Sequence, residues 1–445
     1  MSIYSFSVLE QRLYLNTLNG DVSDSEEEAS SSDFKIQKET YLSRFKPTSY
    51  SFCLNISDAC NLRCSYCFNS DKKSRLMSPA DAIGACELLF SKFPDGEKYY
   101  IDMSGKGEPL LNKSAIEAIA EYCHTKSDEL HREVLPMLVC NGTLLDRENV
   151  EFLQNLGVLF GVSLDGNRSV HDQYRKDSKG RGTFDAIIRN VMAIEHREYV
   201  GCAATLTRRV FPLVEAVEQL STVFNTLSFR LCRSPLYGLD ERSLEGWKRE
   251  YLRLAERLRK DIDSSNVKIF RCLMNGDDLF GRYLCRMFGN SRTLNRCDGL
   301  ITRFTCDIDG RIYGCPASFG LKDFRIDADS IHQRSRKELE RQVLQCWGCP
   351  FKFHCGGECA LETFFYGHIN RFNCDFKIHL IELAAYLKLY CLRNNPEMYK
   401  ELSGFCREKK ARNRIDPELR EFCEKNPNLT FTQAKKEFDS LNKRY

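Results

Sequence analysis

Between about residues 50 and 235, short apolar runs of strand length alternate with longer runs of helical period. "YSFCLNIS" places Phe52, Leu54 and Ile56 on one face, the two-residue period of a strand. "KYYIDMS", "LPMLVCN", "VLFGVSL", "GCAATLT" and "TLSFRLC" read as further strands. The intervening "SPADAIGACELLFSKF", "KSAIEAIAEYCH", "RENVEFLQNLG", "TFDAIIRNVMAIEHR" and "FPLVEAVEQLSTVF" have helical spacing. In the first of these, Ser78 suits the N-cap and Pro79 the first turn. Ile83, Cys86, Leu89, Phe90 and Phe93 form its apolar stripe. Six strand–helix units predict an α/β fold: a parallel sheet with helices outside, curled into a partial (βα)6 barrel of the TIM type. In such a barrel the working residues stand at the C-terminal ends of the strands.

The flanks are patterned differently. Residues 2–21 read as two short strands around a turn, and "SDSEEEASSSD" as an acidic, Ser-rich linker. Beyond Cys374, "IHLIELAAYLKLYCL" is an amphipathic helix. "REKKARNRIDPELREF" is strongly charged, either a solvated helix face or a contact for an acidic leader peptide. The divisions expected are an N-terminal hairpin and linker (1–46), the barrel (47–290), a small cysteine-rich domain (291–375) and a helical tail (376–445).

Charge is nearly balanced at +3, which offers no attraction to nucleic acid or to a membrane surface. No run approaches the roughly 18 apolar residues of a membrane span. No basic start is followed by a long apolar stretch, so no signal peptide is expected. A soluble cytoplasmic protein is the expectation.

Cysteine changes the picture. The chain has 22, and without an export signal metal or redox use is favoured over disulfides. Singletons in apolar runs, such as Cys86, Cys123, Cys140, Cys202 and Cys232, read as small buried hydrophobes. Cys391, Cys406 and Cys423 lack cluster spacing and read as structural. "DACNLRCSYCFNS" is different: Cys60, Cys64 and Cys67 follow the first barrel strand as C-x3-C-x2-C. A closed zinc site uses four ligands, so three thiols on one loop suit a site with one open metal position. A zinc knuckle with a distant fourth ligand is the competing reading. The next strand ends carry "SGKGEPLL", "CNGTLL" and "SLDG". Each could be an ordinary turn, but together around one rim they point to a site.

This combination resembles the radical S-adenosylmethionine (radical SAM) superfamily over roughly residues 50–235. The carriers are C-x3-C-x2-C with Tyr66 before its last cysteine, "GKGEP" beside the family's Gly-Gly-Glu-Pro, and "SLDGNRSVHDQYR…GRGTFDAI". The resemblance implies that Cys60, Cys64 and Cys67 hold three irons of a [4Fe–4S] cluster while SAM chelates the fourth. Reductive cleavage of SAM then yields a 5′-deoxyadenosyl radical that abstracts hydrogen from unactivated carbon, and the protein orients it. By the same resemblance Gly105, Gly107 and Glu108 lie near the SAM amino group. Ser163 and Asp165 are polar contacts to SAM, and Arg175 or Arg230 meets its carboxylate.

A second field reads C-x12-G-x4-C from Cys297 to Cys315. Then come Cys346, Cys349, Cys355 and Cys359 as C-x2-C-x5-C-x3-C, and finally Cys374. One zinc ribbon would strand three of these seven. The field resembles the SPASM domain of radical SAM peptide maturases, which houses two auxiliary [4Fe–4S] clusters. That resemblance implies Cys297, Cys315 and Cys359 on the first and Cys346, Cys349, Cys355 and Cys374 on the second. Cys306 is either a fourth ligand of the first or a free strand cysteine beside a site open to substrate.

Sulfatase-maturing relatives carry an Asp directly after the cysteine here represented by Cys315, where it serves as a base. This chain has Pro316. The resemblance therefore points to maturases of ribosomally made precursor peptides, among them the SCIFF, ranthipeptide and sactipeptide thioether formers. Such an enzyme would take electrons from a flavodoxin or ferredoxin. Carbon–carbon or carbon–oxygen crosslinking by the same machinery is the alternative, and a non-catalytic metal-cluster scaffold that binds a peptide is the alternative of a different class. The N-terminal strands are either a reduced peptide-recognition element, adding a leader peptide as a strand, or a plain hairpin.

Overall fold

The computed structural model describes residues 3–29, 42–43, 45–69, 73–276, 278–411, 417–426 and 429–442. The second half of the acidic linker and the middle of the charged tail segment lie outside these residues.

All six barrel strands form where the two-residue period predicts: β4 Ser49–Leu54, β5 Lys98–Asp102, β6 Glu133–Cys140, β7 Leu159–Ser163, β8 Gly201–Leu206 and β9 Thr226–Leu231. They pair in sequence order, each parallel to the next. The predicted helices fill the crossovers, at Pro79–Lys92, Lys113–Leu130, Arg147–Asn155, Phe184–Met192 and Leu213–Ser221. Ser78 caps the first of them by accepting from the Asp81 amide, and Pro79 stands in its first turn. Cys86, Leu89, Phe90 and Phe93 are buried as that stripe requires. Phe52, Leu54 and Ile56 are fully buried, and so is Cys53 between them, because a parallel sheet covered by helices buries both faces of a strand.

The sheet does not stop at six strands. β10 Arg303–Cys306 returns to lie parallel beside β4, with Phe304 opposite Phe52 and Cys306 opposite Leu54. β11 Ile312–Tyr313 and β12 Arg325–Ile326 continue it antiparallel, giving nine strands in the order β12-β11-β10-β4-β5-β6-β7-β8-β9. The cysteine-rich segment expected as a separate small domain is thus stitched to the barrel's first strand. It also has a small core of its own, from Leu294, Ile301, Leu339, Val343 and Phe353.

At the N-terminus, β1 Ile3–Val8, β2 Gln11–Asn16 and β3 Val22–Ser23 form a three-stranded antiparallel sheet. It packs on the helix Arg371–Asn394: the Tyr4 hydroxyl donates to Glu382 Oε1 at 2.8 Å and Lys388 Nζ to the Gly20 carbonyl at 2.9 Å. That helix contains the run expected to be amphipathic. Instead Leu380, Ile381, Leu383, Ala384, Ala385, Tyr386 and Leu387 are all buried, because the N-terminal sheet covers one side and the helices Glu241–Asp263 and Leu279–Phe288 the other. One continuous hydrophobic core runs from Phe6 to Cys406. Among the described residues, no helix is long and apolar enough to cross a membrane.

Candidate active site

The cysteine loop leaves the C-terminal end of β4 and is fixed on three sides. The end of β5 packs directly beneath it. The Gly107 amide donates to Ser57 O and the Glu108 amide to Ala59 O, both at 2.8 Å. A Cβ on Gly107 would stand 2.2 Å from Ala59 O, and one on Gly105 2.2 Å from Asn55 Oδ1. These glycines are therefore required by the close approach of two backbones. Glu108, 1% exposed, accepts from the Asn141 amide at 2.7 Å and the Leu110 amide at 3.2 Å. It ties the ends of β5 and β6 together, and burial pushes its carboxyl up to about 7.

On the second side, Asn61 joins the loop to "CNGT": its Nδ2 donates to Thr143 Oγ1 at 2.8 Å and its Oδ1 accepts from Asn141 Nδ2 at 2.7 Å. On the third, the segment after β7 pairs with the loop, Arg63 N to Lys176 O at 2.7 Å and Ser65 N to Tyr174 O at 3.0 Å. Asp165 anchors that segment. One of its carboxylate oxygens accepts from the Tyr66 hydroxyl and from Arg175 Nε at 2.9 Å. The other accepts from the Thr205 amide at 2.8 Å. Asp165 is fully buried and Arg175 nearly so, and the Arg175 guanidinium lies 5.5 Å from the Tyr66 ring centroid. Burial would lower the Arg175 pKa, but Asp165, Tyr66 and Cys64 outweigh it and hold the guanidinium charged. Behind them His171, pushed down to about 4 by burial, is neutral. Its Nδ1 accepts from the Asp165 amide at 3.2 Å, which leaves the proton on Nε2 facing Thr183 Oγ1 at 3.0 Å.

Several of the expected SAM contacts also have partners within the protein. The carboxylates of Glu108 and Asp165 and the Nε of Arg175 take part in bracing the cysteine loop. Ser163 ends β7 half-buried, and Arg230 is exposed on β9 with its Nε on Ser228 Oγ at 3.1 Å. The arginine that reaches inward is Arg233, three residues on, whose Nη1 lies 3.3 Å from Cys315 Sγ.

The second cysteine field separates into two groups. The thiols of Cys359 and Cys315, with a smaller part from Cys297, hold the Arg233 guanidinium charged against its burial. Cys346, Cys349 and Cys355 surround Lys352, a buried lysine pushed down to about 8 by burial, and Cys374 faces Cys355 and Cys346. Between the groups lies a buried ion network: Glu358 bonds Lys377 at 2.8 Å and Arg296 at 2.5 Å. Cys306 belongs to neither group. The strand period puts it on the face of Phe304, which stacks on Phe93 of the Pro79–Lys92 helix at 4.5 Å. Cys306 is 1% exposed there and faces Cys86 of the same helix. Of the two readings of Cys306, its burial in the core suits the strand cysteine, and the opposite face of the strand carries Thr305 beside Cys53.

The stretch from Cys315 to Phe319 crosses the barrel mouth. Arg233, just past β9, touches its start, and Lys106, past β5, places its ammonium 5.3 Å from the Phe319 ring. Asp309 reaches the cysteine loop through Arg75, which bonds both Asp309 and Asp58 at 2.7 Å. None of the 22 cysteines is joined in a disulfide. Among the described residues, no three His, Cys, Asp or Glu side chains converge as ligands of a single metal ion. Three half-buried thiols at a strand end, outside any disulfide and with the Arg175 guanidinium near Cys64, fit a cluster with one open iron.

Residues 54–205 match the family model of the radical SAM superfamily. A serine-type anaerobic sulfatase-maturating enzyme from Klebsiella aerogenes is 23% identical over 334 residues, 68% of this chain and 78% of that protein. A cysteine-type counterpart from Clostridium perfringens (strain 13 / Type A) is 24% identical over 300 residues, 64% and 77%. Among solved structures, a hexahistidine-tagged anSMEcpe with bound AdoMet superposes with a TM-score of 0.60 at 20% identity, over 81% of this chain and 98% of that one. The native enzyme with AdoMet and the Cp18Cys peptide gives 0.58 at 18% identity, over 81% and 100%. These structures share the fold of this chain. The stretch from the end of β4 through β8 is thus the part of the chain that matches the radical SAM superfamily, a family built around a [4Fe–4S] cluster and SAM.

Proposed function

We propose that this chain is a cytoplasmic radical SAM maturase acting on a ribosomally synthesised precursor peptide. In this reading it installs crosslinks, thioether bonds from a cysteine to a carbon of another residue. SAM on a reduced cluster at Cys60, Cys64 and Cys67 supplies the hydrogen-abstracting chemistry. The protein's part is bracing and enclosure. Asp165, Tyr66 and Arg175 hold the loop, and the Cys315–Phe319 stretch roofs the mouth. What supports the reading is that roof, whose start at Cys315 meets Arg233 past β9 and whose end at Phe319 meets Lys106 past β5.

The sulfatase-maturating relatives support a polypeptide substrate. Pro316, which opens a turn at Pro316–Ser318, supplies no carboxylate where those enzymes carry their base. The cysteine trio and quartet would hold two auxiliary [4Fe–4S] clusters, serving to take up the surplus electron, to hold the substrate thiolate, or both, and a flavodoxin or ferredoxin would supply the electron that starts the reaction.

The test is anaerobic reconstitution, iron counting, and an assay for 5′-deoxyadenosine with dithionite and SAM. About twelve irons per chain, four for each of three cubes, with SAM cleavage, supports the three-cluster enzyme. The precursor should then lose hydrogens in its mass spectrum, and replacing its cysteines by serine should abolish that loss. Hydrogen loss that survives the replacement would replace thioether formation with carbon–carbon or carbon–oxygen crosslinking. Zinc in place of iron, without cleavage, would leave a peptide-binding scaffold.

A further inference from the structure

Behind the barrel, far in sequence from either cysteine field, two thiols meet. Cys285 lies in the last turn of the helix Leu279–Phe288, and Cys406 in the helix Pro396–Ala411 packed across it. The two side chains are hydrogen-bonded to each other. Both also converge on Met274: Cys285 Sγ lies 3.5 Å from its carbonyl oxygen and Cys406 Sγ 3.9 Å from its sulfur. Lys409 Nζ donates to that same carbonyl at 2.6 Å, which sets an ammonium beside the Cys285 thiol. Cys406 is 7% exposed, whereas Cys285 is half-buried.

We propose that Cys285 and Cys406 form a reversible dithiol–disulfide site that pins the helix Pro396–Ala411 to the back of the barrel. The division of labour follows from exposure and charge. A thiolate, not a thiol, attacks disulfides, and nearby cations favour it. Cys285 is the one a small oxidant can reach, and contact with Cys406 together with the Lys409 charge favours its thiolate. Cys285 thiolate attacks one sulfur of a low-molecular-weight disulfide such as oxidised glutathione. A mixed disulfide forms on Cys285 and one small thiol leaves. Cys406 then gives up its proton and attacks the Cys285 sulfur, releasing the second small thiol. The two protein sulfurs are oxidised by two electrons in all, and the small disulfide is reduced to two thiols. Two sulfurs already in contact across packed helices need little movement to bond.

No other described pairing combines these features. Cys86 and Cys306 face each other in the core with no cation beside them, and both are sealed from solvent. The two cysteine fields belong to the site already described.

The test is differential alkylation and peptide mass spectrometry of the anaerobically purified, iron-loaded protein, before and after oxidised glutathione. The expected result is a Cys285–Cys406 linked peptide, two hydrogens lighter than its halves, with iron content unchanged. Cys406→Ser should lose the linked peptide and accumulate glutathione on Cys285. Lys409→Met should slow the first step and leave the linked product intact. In the wild type the oxidised form should melt higher than the reduced form, and reductant should reverse the shift. Recovery of both cysteines as free thiols, or stable glutathione on Cys285 in the wild type, overturns the proposal. Cys285→Ser provides the control if Cys406→Ser fails to fold: it must abolish both the linked peptide and the melting shift.

Discussion

At the scale of single residues, Asp165 carries more of the site than any cysteine neighbour. Its carboxylate satisfies a buried guanidinium, a buried phenol and a backbone amide at once. Removing one partner of a buried ion pair costs about 3–5 kcal/mol, because the other charge is left behind. Asp165→Ala should lower the free energy of urea unfolding by that amount. Tyr66→Phe, which removes one hydrogen bond to a charged group, should cost about 1.5–3 kcal/mol; equal losses from the two would contradict the ion-pair account. Glu108 sets a pH dependence. Its folded pKa is raised to about 7 from 4.5, mainly by burial, so the folded state binds the extra proton in that window. Stability from this group is greatest below about pH 4.5, falls as pH rises towards 7, and is then level. Glu108→Gln should remove this slope, and unfolding midpoints measured from pH 4 to 8 in both proteins would show it.

The residue scale also shows where sequence reasoning reached its limit. Tyr66, Asp165 and Arg175 stood out as motif positions, but their mutual bonding depends on β7 and β8 lying side by side. The sequence singles out Arg230 and gives Arg233 no signal of its own. Both follow a strand of clear period, and only the strand's end decides which side chain turns inward. Cys306 could not be assigned from spacing, since its orientation is set by pairing with β4, far away in the chain.

At the scale of elements, strands and crossover helices were legible because two strong periods alternate between apolar runs of distinct length. The run inside the Arg371–Asn394 helix reads as amphipathic in sequence, and it is buried on two sides by elements remote in the chain. The rim glycines give the sharpest element-level contrast. A methyl on Gly107 meets the carbonyl of Ala59 and must push the cysteine loop aside, whereas one on Gly84 meets nothing within 4 Å. Gly107→Ala should cost about 1–3 kcal/mol by overpacking and lower the iron bound per chain. Gly84→Ala, inside a helix, should stabilise by about 0.5–1 kcal/mol. Thermal melts and iron assays on the two single variants separate these outcomes; iron retained in Gly107→Ala would show that the loop tolerates displacement.

At the scale of the whole molecule, one core joins the N-terminal sheet, the barrel, the cysteine-rich segment and the Arg371–Asn394 helix. The expected boundary at 290/291 separates β4 from β10, its partner on one side. A chain ending at residue 290 should expose that edge of β4, together with Phe93, which Phe304 covers. It should aggregate or unfold well below the full chain, which should melt in one transition through this core. Two resolved transitions in the full chain would argue for independent units.

The return of β10 to β4 also bears on the order of events during synthesis. β4 emerges from the ribosome first among the barrel strands, yet its neighbour emerges only after the rest of the barrel and the helices behind it. Pairings of such high contact order form late. Until then the loop bearing Cys60, Cys64 and Cys67 lacks the Asp309 anchor that Arg75 brings to it. The last-made part of the sheet thus acts as a timer on the first, and loading of iron into that loop on nascent chains should be completed only after residue 309 has cleared the exit tunnel.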